Sequence, residues 1–224
     1  MRLLIDKKIY LYVLIFLTLV TINNKEINNF DKFLIQKINL NGLNPNDEFE
    51  LLKKLKKNKL KNIFFIKKND IENLLNEHEL IESYEIYKRY PSDLNINVIK
   101  AKFLANISID NQLYFIGSNQ KFIKSKKIDK TLPTIFGKPT TKEFFIIKRL
   151  IKDSNVQFND LEKLYFFPSK RWDLEFKNGN MVKLPISFSK DILNKYYIIS
   201  KSAEFKNIKT YDMRVKNQLI TNEF

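Results

Sequence analysis

The chain has 224 residues and a mass of 26.8 kDa, and its 44% hydrophobic and 13% aromatic residues exclude wholesale disorder. It contains no Cys and a single His, which excludes disulfide scaffolds, thiol catalysis, cysteine-ligated metals and clustered imidazole ligands. Only five of the 40 basic residues are Arg and the Lys are spread along the chain, so the net charge of +15 favours a solvated basic surface over a nucleic-acid groove. Attraction to an anionic membrane or cell-wall polymer is a third possibility.

An apolar run without charges lies near the start of the chain. It extends from Ile9 to Ile22, follows three basic residues, and is not followed by a small-residue cleavage site. This pattern predicts an uncleaved transmembrane signal anchor over residues 9–24 that contacts membrane lipid through the run. The basic residues place the tail of residues 1–8 in the cytoplasm and the rest of the chain on the outer side. A buried core helix is the alternative.

A first folded unit is predicted after a linker of residues 25–33. Its predicted elements are a strand over 33–40, a turn at Gly42, a helix with Phe49, Leu52 and Leu55 on its buried face, a helix starting at Asn69, and strands over 81–89 and 94–99. The order is therefore β-α-α-β-β.

The second half of the chain is predicted to consist mostly of strands. The elements are strands over 107–115 and 120–123 with a turn at Gly117, a compact loop over 132–137, a helix over 141–154, a hairpin over 170–184 with a primed turn at Asn178-Gly179, a helix over 189–199 and one or two strands within 208–220. The alternation of Trp172, Leu174 and Phe176 with polar residues indicates that Trp172 is a core residue rather than a binding aromatic.

Several short motifs resemble the FtsQ/DivIB family of bacterial cell-division proteins in collinear order. They are Ile38-Asn-Leu-Asn-Gly42, the turn Tyr87-Lys-Arg-Tyr-Pro91, Arg171-Trp-Asp-Leu-Glu-Phe, and Tyr211-Asp-Met-Arg-Val215. The resemblance implies an α+β chain with an N-terminal transmembrane helix, a POTRA domain over 34–101 and a mostly antiparallel β domain with flanking helices over 102–224. Gly42, Arg89 and Pro91 are then structural residues of the POTRA domain.

The resemblance also implies a function without catalysis. A member of this family is expected to be a single-pass scaffold of the inner membrane at the division septum, with most of its chain in the periplasm. It would bind FtsB and FtsL among other divisome proteins and help to regulate septal peptidoglycan synthesis. No cofactor, metal, nucleic acid or small-molecule substrate is expected.

Strand addition is the binding mode that we expect for the β domain. An exposed edge strand near residues 211–217 would pair with an extended partner segment through main-chain hydrogen bonds. The candidate partner-binding residues are Arg171, Tyr211, Asp212, Met213, Arg214, Val215, Lys216 and Asn217. Arg214 would bind an acidic residue of the partner, or alternatively an internal carboxylate such as Asp212.

Two other functions are compatible with parts of the sequence. A POTRA-containing periplasmic chaperone or envelope assembly factor would bind unfolded strands promiscuously. An envelope hydrolase would need a carboxylate pair, for which Asp110, Asp160 and Glu162 are candidates without a distinctive spacing.

Overall fold

The computed structural model describes residues 7–22, 33–57, 62–215 and 218–222. The chain divides into two compact units. The first comprises residues 1–77 and 84–99, and the second comprises residues 78–83 and 100–224. Each unit has its own sheet.

Helix α1 forms from the apolar run near the start of the chain and spans Lys7–Ile22. Its 16 residues, at about 1.5 Å of rise each, extend about 24 Å, whereas a bilayer's hydrocarbon core is about 30 Å thick. Among the described residues, no helix combines the length and the apolar character that crossing a membrane requires. The prediction of an N-terminal transmembrane helix is therefore wrong.

The first unit has the predicted β-α-α-β-β order. Its elements are β1 (Lys37–Asn41), α2 (Pro45–Lys57), α3 (Lys68–Glu77), β2 (Ile81–Arg89) and β3 (Asp93–Lys100), although residues 81–83 of β2 and Lys100 of β3 fall in the second unit. The strand order is β1-β3-β2, and β1 runs parallel to β3, with Lys37 opposite Asp93 and Asn41 opposite Asn97. The two helices supply the crossover that a parallel pair of strands needs.

The core of this unit is built from the helix faces and the central strand. Leu51 and Leu55 of α2 are buried, and so are Ile71 and Leu75 of α3. Phe49, which we predicted to be on the buried face, is 69% exposed. Two residues along a helix turn the side chain by about 200°, so a helix that buries Leu51 points Phe49 outward.

Gly42 follows β1 in a conformation that requires glycine. Its φ is +105°, and a Cβ at this position would lie 1.8 Å from the carbonyl oxygen of Val98. Both the backbone angle and the close approach of β3 exclude a side chain here. The positive φ that the sequence predicts for Gly42 at a strand exit is present.

The described residues of the second unit form nine strands and two α-helices. The strands are β4 (Phe103–Ile109), β5 (Gln112–Gly117), β6 (Phe122–Ser125), β7 (Thr134–Phe136), β8 (Leu161–Phe166), β9 (Trp172–Phe176), β10 (Met181–Lys183), β11 (Thr210–Asp212) and β12 (Ile220–Asn222), and the helices are α4 (Thr141–Lys152) and α5 (Lys190–Lys201). They form one sheet in the order β12-β11-β10-β9-β8-β7-β4-β5-β6.

One side of this sheet is closed by the two helices. Phe144, Ile147 and Ile151 of α4 and Leu193 and Tyr196 of α5 are buried in a single core cluster with the inward side chains of the strands. The cluster includes Trp172, which is 4% exposed, so its prediction as a core residue is confirmed. Thr140 caps α4 in a capping box with Glu143, and Ser189 caps α5 as predicted.

Three local predictions in this unit are wrong. Residues 107–115 form a hairpin instead of one strand, because Asp110 and Asn111 both have positive φ and build a two-residue turn. The expected loop at residues 132–137 contains β7, which pairs in parallel with β4 and β8. Strand β8 itself has no counterpart among the predicted elements.

The hairpin of β9 and β10 is confirmed, but its turn differs from the prediction. Gly179 has a φ of +84° and donates from its N–H to Phe176 O, while the Phe176 N–H donates to Asn180 O. The loop therefore has three residues and ends in a left-handed glycine, rather than two residues in a primed turn. This geometry places Met181 opposite Glu175 and Lys183 opposite Asp173.

Candidate partner-binding edge

A row of charged side chains crosses the end of the sheet that terminates in β12. Asp173 of β9 lies opposite Lys183 of β10, Lys183 lies opposite Asp212 of β11, and Asp212 lies opposite Ile220 of β12. Residues directly opposite on neighbouring strands point to the same face of a sheet. We call Asp173, Lys183 and Asp212 the charged row. It lies on the face that the helices leave uncovered, since Leu174 and Val182 point into the core on the other face.

Arg214 is held by one end of the charged row. Its Nε donates to Asp212 Oδ1 at 2.8 Å and to Oδ2 at 2.9 Å, and its backbone N–H donates to Oδ1 at 3.1 Å. The hydrogen bonds from Arg214 lower the pKa of the Asp212 carboxyl, outweighing the opposing effect of burial. The Arg214 side chain remains 44% exposed. The internal partner that the sequence left as an alternative is therefore present, and the outer side of the guanidinium still faces solvent.

Arg171 forms a similar pair at the other end of the row. Its Nε donates to Asp173 Oδ1 at 3.2 Å, and its guanidinium lies 4.2 Å from the ring centre of Phe167. Burial raises the pKa of the Asp173 carboxyl, and Arg171 only partly offsets this effect. Arg171 and Arg214 thus flank the charged row, and the five charged groups carry one net positive charge.

The open edge lies one strand further along the chain than the sequence predicted. Tyr211 is 1% exposed, and its hydroxyl donates to Phe205 O at 3.2 Å. Strand β11, which contains it, is covered by β12 through three antiparallel pairs. In the described part of the chain no strand lies beyond β12, so half of the N–H and C=O groups of β12 point away from the sheet.

The remaining candidate residues lie partly in the second unit and partly in the first. Met213 is buried and donates from its N–H to Lys183 O at 3.0 Å, whereas Val215 is 47% exposed. Lys216 and Asn217 lie outside the described residues. Arg89 ends β2 and Pro91 lies in the turn before β3, both exposed and both in the first unit.

A groove of about 760 Å³ lies beside the edge, between α5 and the segment that joins β11 to β12. Asp191, Ile192, Lys195 and Ile199 line its helical wall, and Arg214 and Val215 line the other. The wall of α5 thus carries two apolar side chains and one charge of each sign. Arg214 adds a second cation on the opposite wall, so the groove offers both apolar and charged contacts.

The carboxylates considered for hydrolase chemistry lie at exposed positions in two places of the second unit. Asp110 is at the turn between β4 and β5 and accepts a hydrogen bond from Lys138 Nζ at 2.6 Å. Asp160 and Glu162 are exposed next to the start of β8. Within the described ranges no cluster of three acidic or imidazole side chains has the arrangement needed to hold a metal ion.

Comparison with known proteins identifies the family. The sequence model of the POTRA domain, FtsQ-type, matches residues 33–100. The cell-division protein FtsQ of Rickettsia bellii is 24% identical over 196 residues, which cover 86% of this chain and 73% of that protein. The chain belongs to the FtsQ/DivIB family.

Further FtsQ/DivIB proteins match with different coverage. FtsQ of Rickettsia conorii is also 24% identical over 196 residues. DivIB of Staphylococcus aureus is 30% identical over 139 residues, which cover 61% of this chain and 31% of DivIB. The solved major extracytoplasmic domain of the trans isomer of DivIB from Geobacillus stearothermophilus has a TM-score of 0.35 and 12% identity, and covers 46% of this chain and 94% of the solved domain.

The sequence predicted some residues of the candidate edge and missed others. Arg171, Asp212 and Arg214 lie together at one end of the sheet of the second unit, as predicted. Lys183 and Ile220 were missed. The alternation of side chains along Met181-Val-Lys indicates that Lys183 and Val182 lie on opposite faces of the sheet. Which of the two faces the core depends on the register of the hairpin, and this register is not evident from the sequence.

Proposed function

We propose that this member of the FtsQ/DivIB family is a non-enzymatic divisome scaffold that binds FtsB, and through it FtsL, by strand addition to β12. The single observation that carries the proposal is the unpaired outer side of β12 next to the exposed guanidinium of Arg214. In this proposal residues 34–101 are the POTRA domain and residues 102–224 the β domain. The complex acts at the division septum and helps to regulate septal peptidoglycan synthesis.

The geometry supports two separate contributions to binding. The main-chain groups of β12 provide affinity without selecting a sequence, because any extended segment can complete the ladder. Arg214 provides selectivity, since Asp212 fixes the orientation of its guanidinium and leaves 44% of the side chain open to a partner carboxylate. Ile220, which is 52% exposed on the same face, offers an apolar contact beside it.

A titration of the full chain with FtsB from the same genome tests the proposal. Arg214→Glu is expected to weaken binding at least about tenfold, because it places a repelling charge opposite the partner carboxylate. Arg149→Glu reverses a charge on α4 in the same unit and is the matched control. Equal affinities of the two variants would contradict the role of Arg214.

The choice of deletion is set by the burial of Tyr211. A truncation that starts at Tyr211 removes a core side chain, so loss of binding would then reflect unfolding. Removal of residues 220–224 takes away β12 alone from the described sheet. This shorter deletion is expected to abolish binding while α4 and α5 keep their helical circular-dichroism signal. A scrambled FtsB segment that bound as well as the native one would favour a promiscuous chaperone instead.

A further inference from the structure

A second surface with distinct chemistry lies in the first unit, at the loop between α2 and α3. Phe65 is 79% exposed, Phe64 is 52% exposed and Tyr90 is 55% exposed. We call these three side chains the aromatic tip. Exposed rings of this size are costly to hydrate, and three together form a surface that favours a less polar environment.

The loop that carries the tip is held in place by hydrogen bonds. The Asn62 side chain accepts from the Phe64 N–H at 2.9 Å, and its carbonyl accepts from the N–H groups of Phe65 and Ile66 at 3.2 and 3.0 Å. Ile63, which is fully buried, donates from its N–H to Phe33 O at 2.9 Å. The inward side chain anchors the loop, and the turn directs the following two rings outward.

Ring contacts fix the orientation of the tip as well. The ring of Phe64 lies 4.9 Å from that of Tyr90 in a stacked arrangement and 5.0 Å from that of Phe33 in an edge arrangement. Tyr90 belongs to the turn between β2 and β3, so two separate segments of the unit meet in the tip. The tip is therefore preorganised and does not need to be ordered on binding.

The stretch of sequence that carries the tip is strongly basic. Residues 53–68 contain eight Lys and neither Asp nor Glu. Lys67 is exposed two residues after Phe65, and Arg89 is exposed directly before Tyr90. The ammonium group of Lys88 donates to Ile66 O at 3.1 Å, which places another cation against the loop itself. Lys68 is the one cation of this group with a described ion pair, at 3.3 Å from Glu72.

We propose that the aromatic tip and its Lys residues dock the first unit onto the surface of an anionic phospholipid bilayer. Aromatic side chains are favourable at the level of the lipid headgroups, and Lys residues next to them are attracted by anionic lipids. A hydrated polyanion such as a cell-wall polymer would neutralise the Lys residues, but it would leave the ring of Phe65 in water. The combination of cations with exposed rings therefore selects a lipid surface.

The absence of Cys in the sequence allows a probe to be placed at one position of the full chain. Phe65→Cys carries an environment-sensitive fluorophore in the tip, and Ile186→Cys carries it at a 63% exposed apolar position of the second unit as the control. Each labelled chain is mixed with vesicles of phosphatidylcholine and phosphatidylglycerol, with phosphatidylcholine vesicles, or with soluble polyphosphate. Because the fluorophore reports its own surroundings, vesicle contact elsewhere in the chain does not give the signal.

At position 65 we expect a blue shift and an increase in emission only with the vesicles that contain phosphatidylglycerol. High salt is expected to reverse this change. Position 186 is expected to show no change. In a chain that carries the fluorophore at Lys67→Cys and keeps the native residue at position 65, adding Phe65→Ser is expected to weaken the vesicle response about tenfold, because one buried ring is lost. Equal responses at positions 65 and 186, or the same blue shift with polyphosphate, would overturn the proposal.

Discussion

Ile220 of β12 lies directly opposite Asp212 of β11, and Asp212 in turn binds the guanidinium of Arg214. This arrangement puts an unpaired strand edge, an exposed apolar side chain and a fixed cation within two strands of each other. An extended segment with a carboxylate would satisfy all three at once. The relationship connects the fold of the second unit to the proposed function.

Proline substitutions at two neighbouring positions of β12 distinguish the hydrogen bonds that β12 makes to β11 from those that it would make to a partner strand. Consecutive N–H groups of a strand alternate in direction, so one of Ile220 and Thr221 donates toward β11 and the other away from the sheet. Proline removes the N–H at either position. We expect one of Ile220→Pro and Thr221→Pro to abolish FtsB binding with a nearly unchanged melting temperature, and the other to loosen β12 from β11.

Binding titrations and thermal melts of the two proline variants make this comparison. Ile220→Thr retains the N–H and a β-branched side chain and is the control, with an expected loss of only a few-fold in affinity. Full binding by both proline variants would show that the partner does not use the ladder of β12.

The two carboxylates of the charged row are expected to affect stability in opposite directions. Arg214 lowers the folded-state pKa of Asp212, so this carboxyl stabilises the fold above its unfolded pKa of about 4, and the contribution is lost as the pH falls through the lower folded value. Burial raises the folded-state pKa of Asp173, so its charged form costs stability at neutral pH, and this cost disappears as the pH falls through the raised value.

Two amide substitutions test these signs. Asp212→Asn is expected to lower the free energy of unfolding at pH 7 by about 1 kcal/mol, because it breaks a partly buried ion pair. Asp173→Asn is expected to leave it unchanged or raise it by up to about 1 kcal/mol. Urea denaturation between pH 7 and pH 3 measures the free energy of unfolding of both variants. If both substitutions lowered this free energy at pH 7, the opposite effects assigned to the two carboxylates would be contradicted.

The close approach at Gly42 predicts a specific sensitivity. Gly42→Ala is expected to destabilise the first unit by at least about 2 kcal/mol, because the Cβ would overlap the Val98 carbonyl and the φ of +105° is unfavourable for alanine. Gly179 also has a positive φ, but a Cβ there would meet nothing within 4 Å. Gly179→Ala is therefore the control and should cost about 1 kcal/mol. Similar thermal melts of the two variants would contradict the steric argument.

The sequence predicted the elements whose signals are local. The capped helices α4 and α5, the β-α-α-β-β order of the first unit and the pairing of β9 with β10 all follow from patterns within about fifteen residues. The α+β class follows from the same elements. Asp110 and Asn111 also form a local turn signal, but the apolar residues on both sides of them follow the pattern of one continuous strand.

Register and strand order depended on information that is not local. A two-residue turn at Asn178-Gly179 would have placed Lys183 opposite Leu174 on the core face, and the additional loop residue moves it opposite Asp173 on the open face. The three-residue strands β7 and β12 are recognisable only through their neighbours, since both are too short to show a period. The candidate edge could not be assigned to β12 for this reason.

Amide hydrogen exchange of the full chain, with and without FtsB, tests the central claim most directly. Strand β6 (Phe122–Ser125) forms the other end of the same sheet and serves as an internal control. We expect FtsB to slow exchange in the peptide that contains Ile220–Asn222 and to leave β6 unchanged. Protection at β6 instead, or unchanged exchange at β12 in a saturated complex, would contradict strand addition at this edge.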